Sequence, residues 1–89
     1  MRYEEALPFF EKMLESHIRN LGEEHSDVAI LINNLGYALL KLERYEQSEQ
    51  AYQKSFLLMR TLFGDEHPNT IFVHKKLMLV QRLKNEEND

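Results

Sequence analysis

Two histidines of this chain stand in nearly the same words, 42 residues apart: Leu21-Gly22-Glu23-Glu24-His25-Ser26-Asp27 and Phe63-Gly64-Asp65-Glu66-His67-Pro68-Asn69. An imidazole among carboxylates is ligand chemistry for zinc, so a duplicated set raises the prospect of two metal sites. Spacing argues against it, because no HExxH pair or other compact His/Asp/Glu ligand set accompanies either histidine. The remaining histidines, His17 and His74, fall within apolar stripes and are expected to pack, partly buried. The chain has no cysteine, which removes disulfides, thiol catalysis and thiolate metal sites. There is no Gly-rich phosphate loop. The carboxylates are scattered through helical faces, with no nucleophile and base spaced as a pair. The expectation is a noncatalytic protein without metal or cofactor.

Composition narrows the class. Eighty-nine residues make one domain, too small to bury a deep enzyme cleft. With 43 % hydrophobic residues, three glycines and two prolines, the chain suits a folded helical protein. The first helical segment carries Glu4, Glu5, Glu11 and Glu15 among its apolar residues, so it is neither a signal peptide nor a membrane span, and a cytoplasmic setting is expected. A formal charge of −4 argues against nucleic acid, whose phosphates are neutralised by Lys and Arg.

The histidine turns belong to a longer repetition. A shift of 42 without gaps pairs Tyr3 with Tyr45, Glu4 with Glu46, Lys12 with Lys54, Gly22 with Gly64, His25 with His67 and Leu35 with Leu77. Each period contains two helical patterns. Val28, Ile32, Leu35, Gly36 and Leu39 form one buried stripe, and Tyr45, Ser48, Tyr52, Ser55, Phe56 and Met59 another. The short Leu42-Glu43-Arg44-Tyr45 link forces the two helices antiparallel. The fold class is therefore all-α, with antiparallel helix-turn-helix repeats forming a short α-solenoid of four helices near 3–21, 26–42, 45–63 and 68–84. Residues 1–84 form the repeat domain and 85–89 a polar tail. Pro8 is expected to bend the opening turns of the first helix. Gly22 and Gly64 stop the helices before them, Pro68 suits a first helical position, and Asp27 and Asn69 add polarity near helix starts.

These residues resemble the tetratricopeptide repeat, in the lengthened form of kinesin light chains and related bacterial proteins. The resemblance runs through Ile30 to Phe56 and the two histidine turns, and covers nearly the whole chain. Leu35 and Gly36 match the Leu-Gly of the family's first helix, Tyr45 the aromatic that opens the second, and Tyr52 its central aromatic. Ser48 and Ser55 stand where the family usually has Ala. A usual repeat has 34 residues, so the extra length adds about two helical turns, roughly 12 Å, to the second helix. HEAT and armadillo arrays share a period of about 40–47 residues but lack this Leu-Gly and aromatic arrangement.

The resemblance implies a protein-interaction module and scaffold whose first-type helices line a concave groove. At 100° per residue, Ile30, Asn33, Asn34, Tyr37 and Lys41 lie opposite the buried stripe of the second helix. The matching residues of helix four are Phe72, Lys75, Lys76 and Leu79. Asn33, Asn34, Tyr37, Lys41, Lys75 and Lys76 are thus the candidate peptide-binding residues. Amides suit an extended main chain, and lysines an acidic segment with an apolar anchor.

The alternative function is self-association, as a homodimer. The chain opens on a second-type helix and closes on a first-type one, so helix one, with its broad apolar arc, lacks its usual partner. Helix four has His74 and Gln81 in its expected core stripe, with Phe72, Leu79 and Leu83 pointing away. Phe9, Phe72, Leu79 and Leu83 are the candidate self-association residues.

Overall fold

The structure, a computed structural model, describes residues 2–88. Four helices follow one another: α1 Tyr3–Leu21, α2 Ser26–Lys41, α3 Tyr45–Phe63 and α4 Pro68–Asn88. Each packs on the next, and among the described residues there is no strand. The stack measures 41 × 33 × 18 Å, and its thin dimension is that of two helix layers. α1 continues without interruption past the exposed Pro8. α4 continues four residues beyond the expected 84, carrying Asn85, Glu86 and Glu87 exposed; Asp89 lies outside the described residues.

The turns explain where the helices stop. Gly22 and Gly64 have φ of 89° and 90° with ψ of 163° and 168°. That region is essentially closed to any residue with a Cβ, so glycine is required by backbone geometry. Their N–H groups close the preceding helices on Ile18 O and Arg60 O, both at 2.9 Å. The α2–α3 turn works differently. Glu43 takes φ of 59°, and bonds from Glu43 N–H to Leu40 O and from Arg44 N–H to Leu39 O make a Schellman cap.

The core forms where α2 lies between its neighbours. Val28, Ile32, Ala38 and Leu39 pack with Leu7 and Ala51, while Ala29 joins Tyr52, Met59, Val73, Leu77 and Val80. Burying a large apolar side chain in this way contributes roughly 1.5–3 kcal/mol each. The α2–α3 seam is especially close. Ser48 Oγ donates to Gly36 O at 2.7 Å and Ser55 Oγ to Ala29 O at 2.8 Å. A Cβ on Gly36 would meet three ring carbons of Tyr52 at 3.2 Å. The seam serines thus do more than keep the small size that the family's Ala provides.

The buried face of α4 differs from the expected stripe. Thr70, Val73, Leu77 and Val80 are buried, whereas His74 and Gln81 are exposed. The expectation transferred to α4 the whole wide stripe that α2 needs between two neighbours. α4 is packed on α3 alone to any extent, so a narrower stripe suffices. The histidines at the turns also prove to be structural. His25 Nδ1 accepts from Asp27 N–H at 3.0 Å, and His67 Nδ1 from Asn69 N–H at 3.1 Å. The imidazoles cap α2 and α4, and Asp27 and Asn69 supply the capped N–H groups. His67 further stacks on Phe63 at 4.5 Å between ring centroids.

Candidate functional site

The candidate peptide-binding residues sit on two helices, α2 and α4, that both pack on α3 and meet through side chains at Tyr37. α2 faces outward with Ile30, Asn34, Tyr37 and Lys41, because Ala29, Ile32, Gly36 and Leu39 are committed to α1 and α3. Tyr37 is the focus. Lys41, one turn on, places Nζ 5.4 Å from its ring centroid, and Lys76 of α4 places Nζ 5.7 Å from it. Tyr3 of α1 completes the cluster edge-on, with ring centroids 5.8 Å apart and planes at 73°. Lys76 also lies 5.5 Å over the ring of Phe72. Two ammonium groups held against aromatic faces retain donors for an incoming carboxylate while the rings offer apolar contact.

Electrostatics follow this geometry. The Tyr3 hydroxyl, by hydrogen bonding to the Tyr37 phenolate, holds the Tyr37 phenol below the ordinary range, and Lys41 and Lys76 add to the effect against partial burial. Tyr3 is pushed the other way, first by its bond to Tyr37 and then by desolvation. Tyr52 lies beneath, its phenol pushed strongly upward by burial and its hydroxyl enclosed without a hydrogen-bond partner.

Not every candidate joins the cluster. Asn34 is exposed on the same side, but Asn33 is half-buried with Oδ1 enclosed and unpartnered. Lys75 points elsewhere, into a shallow depression of about 410 Å³ with Met78, Leu79 and Arg82. Adjacent in sequence, Lys75 and Lys76 are separated by 100° around α4, and only Lys76 reaches Tyr37. Among the self-association candidates, Phe9 and Phe72 are 69 % and 53 % exposed, while Leu79 and Leu83 are partly covered. Tyr3 was absent from the sequence-based set because its place beside Tyr37 depends on how α1 crosses α2. Phe72, placed by the sequence on the groove face as well as among the self-association candidates, has its ring under Lys76.

The other histidines carry no comparable site. His17 Nδ1 lies 2.8 Å from Met13 O, one turn back, and the residue is half-buried. His74, expected to be partly buried, is exposed and stacks on Phe56 at 4.7 Å. Among the described residues, no three His, Asp or Glu side chains gather as a metal-binding group.

A family model described as the tetratricopeptide repeat matches residues 1–55 and again 27–87. The chain belongs to the tetratricopeptide repeat family. Repeats of this family are in general protein–protein interaction modules that bind proteins or peptides. No curated protein matches the chain. Among the described residues, no helix is long and apolar enough to cross a membrane.

Proposed function

We propose that this chain is a noncatalytic scaffold module that receives a peptide or helix from a partner protein along the outer face of α2. The observation that carries it is Tyr37 between Lys41 and Lys76, with Tyr3 at its edge. The ligand is an acidic segment with an aromatic or leucine anchor. Its carboxylates meet the two ammonium groups and its anchor lies on the Tyr37 and Phe72 rings, while Asn34 bonds the main chain. Asn33 and Lys75 flank the site and reach a ligand only after side-chain rearrangement. The site is short, so affinity is micromolar or weaker, about −8 kcal/mol at most. The 42-residue period supports assignment to the lengthened repeat type resembling kinesin light chains, and the carboxylates of the first helix favour work in the cytoplasm.

The test is titration of an acidic, leucine-containing peptide at low salt. The double change Asn34→Ala with Lys76→Ala is expected to weaken binding about tenfold without loss of helicity, since both side chains lie outside the core. Unchanged affinity would rule this groove out. Self-association is a second reading, favoured by the exposed aromatic rings of Phe9 and Phe72.

A further inference from the structure

α1 and α3 each pack on α2 and not, to any extent, on each other. An apolar trough is left between them, on the side of α2 away from Tyr37. Val28 and Ile32 floor a depression of about 310 Å³, and Ile32, Leu35 and Leu39 floor the next, of about 240 Å³. Ile18 of α1 and Lys54 of α3 line both, so the two are continuous. Leu57, 44 % exposed, is an open wall of the first. The depressions succeed one another by seven residues on each helix: Val28 and Leu58 line the first, Leu35 and Ala51 the second. Seven helical residues span about 10 Å, the distance between side chains i and i+7 on one face of a partner helix.

The rim of the trough is acidic along α1. At 100° per residue the order around that helix is Phe10, Leu14, Ile18, Glu11, Glu15. Phe10 lines neither depression and Ile18 lines both, which puts the trough on the Glu11 and Glu15 side of Leu14. Glu23 and Glu24, in the turn that follows, line its end. All four carboxylates are exposed, and none is in an ion pair among the described residues. Lys12 and Arg19 lie farther round α1, beyond Glu15. The wall from α3 is neutral apart from Lys54, with Gln47, Gln50 and Thr61 beside it. We propose that this trough is a second docking surface, for a basic amphipathic helix of a partner protein. Leucine-sized residues at i and i+7 enter the two depressions, and Lys or Arg along one flank meets Glu11 and Glu15. An acidic residue on the other flank meets Lys54, which fixes the direction of the helix. The same carboxylates repel phosphate-bearing surfaces, so the partner is a protein. Because the trough and the Tyr37 cluster lie on opposite sides of α2, the module holds an acidic segment on one face and a basic helix on the other.

The test is calorimetric titration of the full chain, at low salt, with a blocked helical peptide that carries leucines at i, i+3 and i+7 and lysines along one flank. One-to-one binding that weakens as salt is added is expected. The same peptide with glutamate for each lysine should bind at least about tenfold more weakly. Leu57→Gln should weaken the lysine peptide about fivefold by removing an apolar wall. Glu11→Gln with Glu15→Gln should weaken it severalfold and flatten its salt dependence. Circular dichroism should show unchanged helicity, because all three side chains are exposed. Three results would overturn the proposal: no binding up to high micromolar peptide, equal affinity for the glutamate peptide, or affinity indifferent to Leu57→Gln. The two sites fail separately. Asn34→Ala with Lys76→Ala should leave lysine-peptide affinity unchanged, and Leu57→Gln should leave acidic-peptide affinity unchanged.

Discussion

α2 and α4 occupy the same place in successive periods of the sequence, yet they meet different surroundings. α2 lies between α1 and α3 and buries Val28, Ala29, Leu31, Ile32, Gly36, Ala38 and Leu39. α4 rests on α3 and buries Thr70, Val73, Leu77 and Val80. The substitutions track the difference position by position. Ile32, buried in the first core cluster, becomes His74, exposed and stacked on Phe56. Leu7 and Leu42, which meet in that same cluster, become Glu49 and Lys84, joined by an ion pair of 2.9 Å. The repeat preserves the backbone arrangement while the side chains record how many neighbours each helix has. A helix with one neighbour keeps only the inner half of the apolar face.

The largest test of this comparison exchanges the seam residues. Gly36→Met, which gives α2 the residue of α4, should cost about 2–3 kcal/mol, because the Tyr52 ring already stands at contact distance. Met78→Gly, the reverse change on α4, should cost only about 1 kcal/mol, from helix propensity alone. Urea denaturation of both variants checks the ratio, and equal costs would mean that the α2–α3 seam is no tighter than an exposed helix face.

The next effect compares turns. Gly64→Ala should destabilise by about 1–3 kcal/mol, and Gly22→Ala likewise, because their backbone region excludes a Cβ even though the space around it is open. Glu43→Gly should act in the opposite sense, raising stability by about 0.5–1 kcal/mol by relieving a positive φ in the Schellman turn. Thermal melts would reveal a mistaken turn geometry if all three changes moved in the same direction.

The smallest expected effect is that of the Glu49–Lys84 pair, which ties α4 to α3. Hydrogen bonding to Glu49, with its charge, raises the Lys84 ammonium above its ordinary 10.5. A raised folded value means that the contribution is complete below pH 10.5 and is lost as pH climbs through the folded value. The stability gap between the parent and Lys84→Met should therefore narrow above that pH. A gap that widens there would contradict the pairing.

Much of this was legible in the sequence. The 42-residue shift marked the period, glycines after apolar runs marked two helix ends, and the periodic stripes marked four helices. The Schellman turn at Glu43 was not legible, because its sequence carries no glycine and an exposed glutamate takes the positive φ between the two closing backbone bonds. Nor was the capping role of His25 and His67, since imidazole is an uncommon cap and Asp27 and Asn69 stood in more usual positions. The transferred core stripe failed at His74 and Gln81 because a pattern read from α2 carries the imprint of two neighbours.

Local rules were enough for the elements themselves: side-chain periodicity, backbone sterics at glycine and link length act within a few residues, so the sequence alone determined four antiparallel helices and their repetition. The candidate site depended on longer distances. Lys75 and Lys76 have equal claims in sequence, and only the packing of α4 on α3 turns Lys76 to the Tyr37 ring and Lys75 away from it. Tyr3 reaches the same ring from 34 residues earlier because α1 packs across α2. Which side chains converge is set by helix rotation and crossing, quantities fixed by the fit of whole faces, and these emerge only in the tertiary structure.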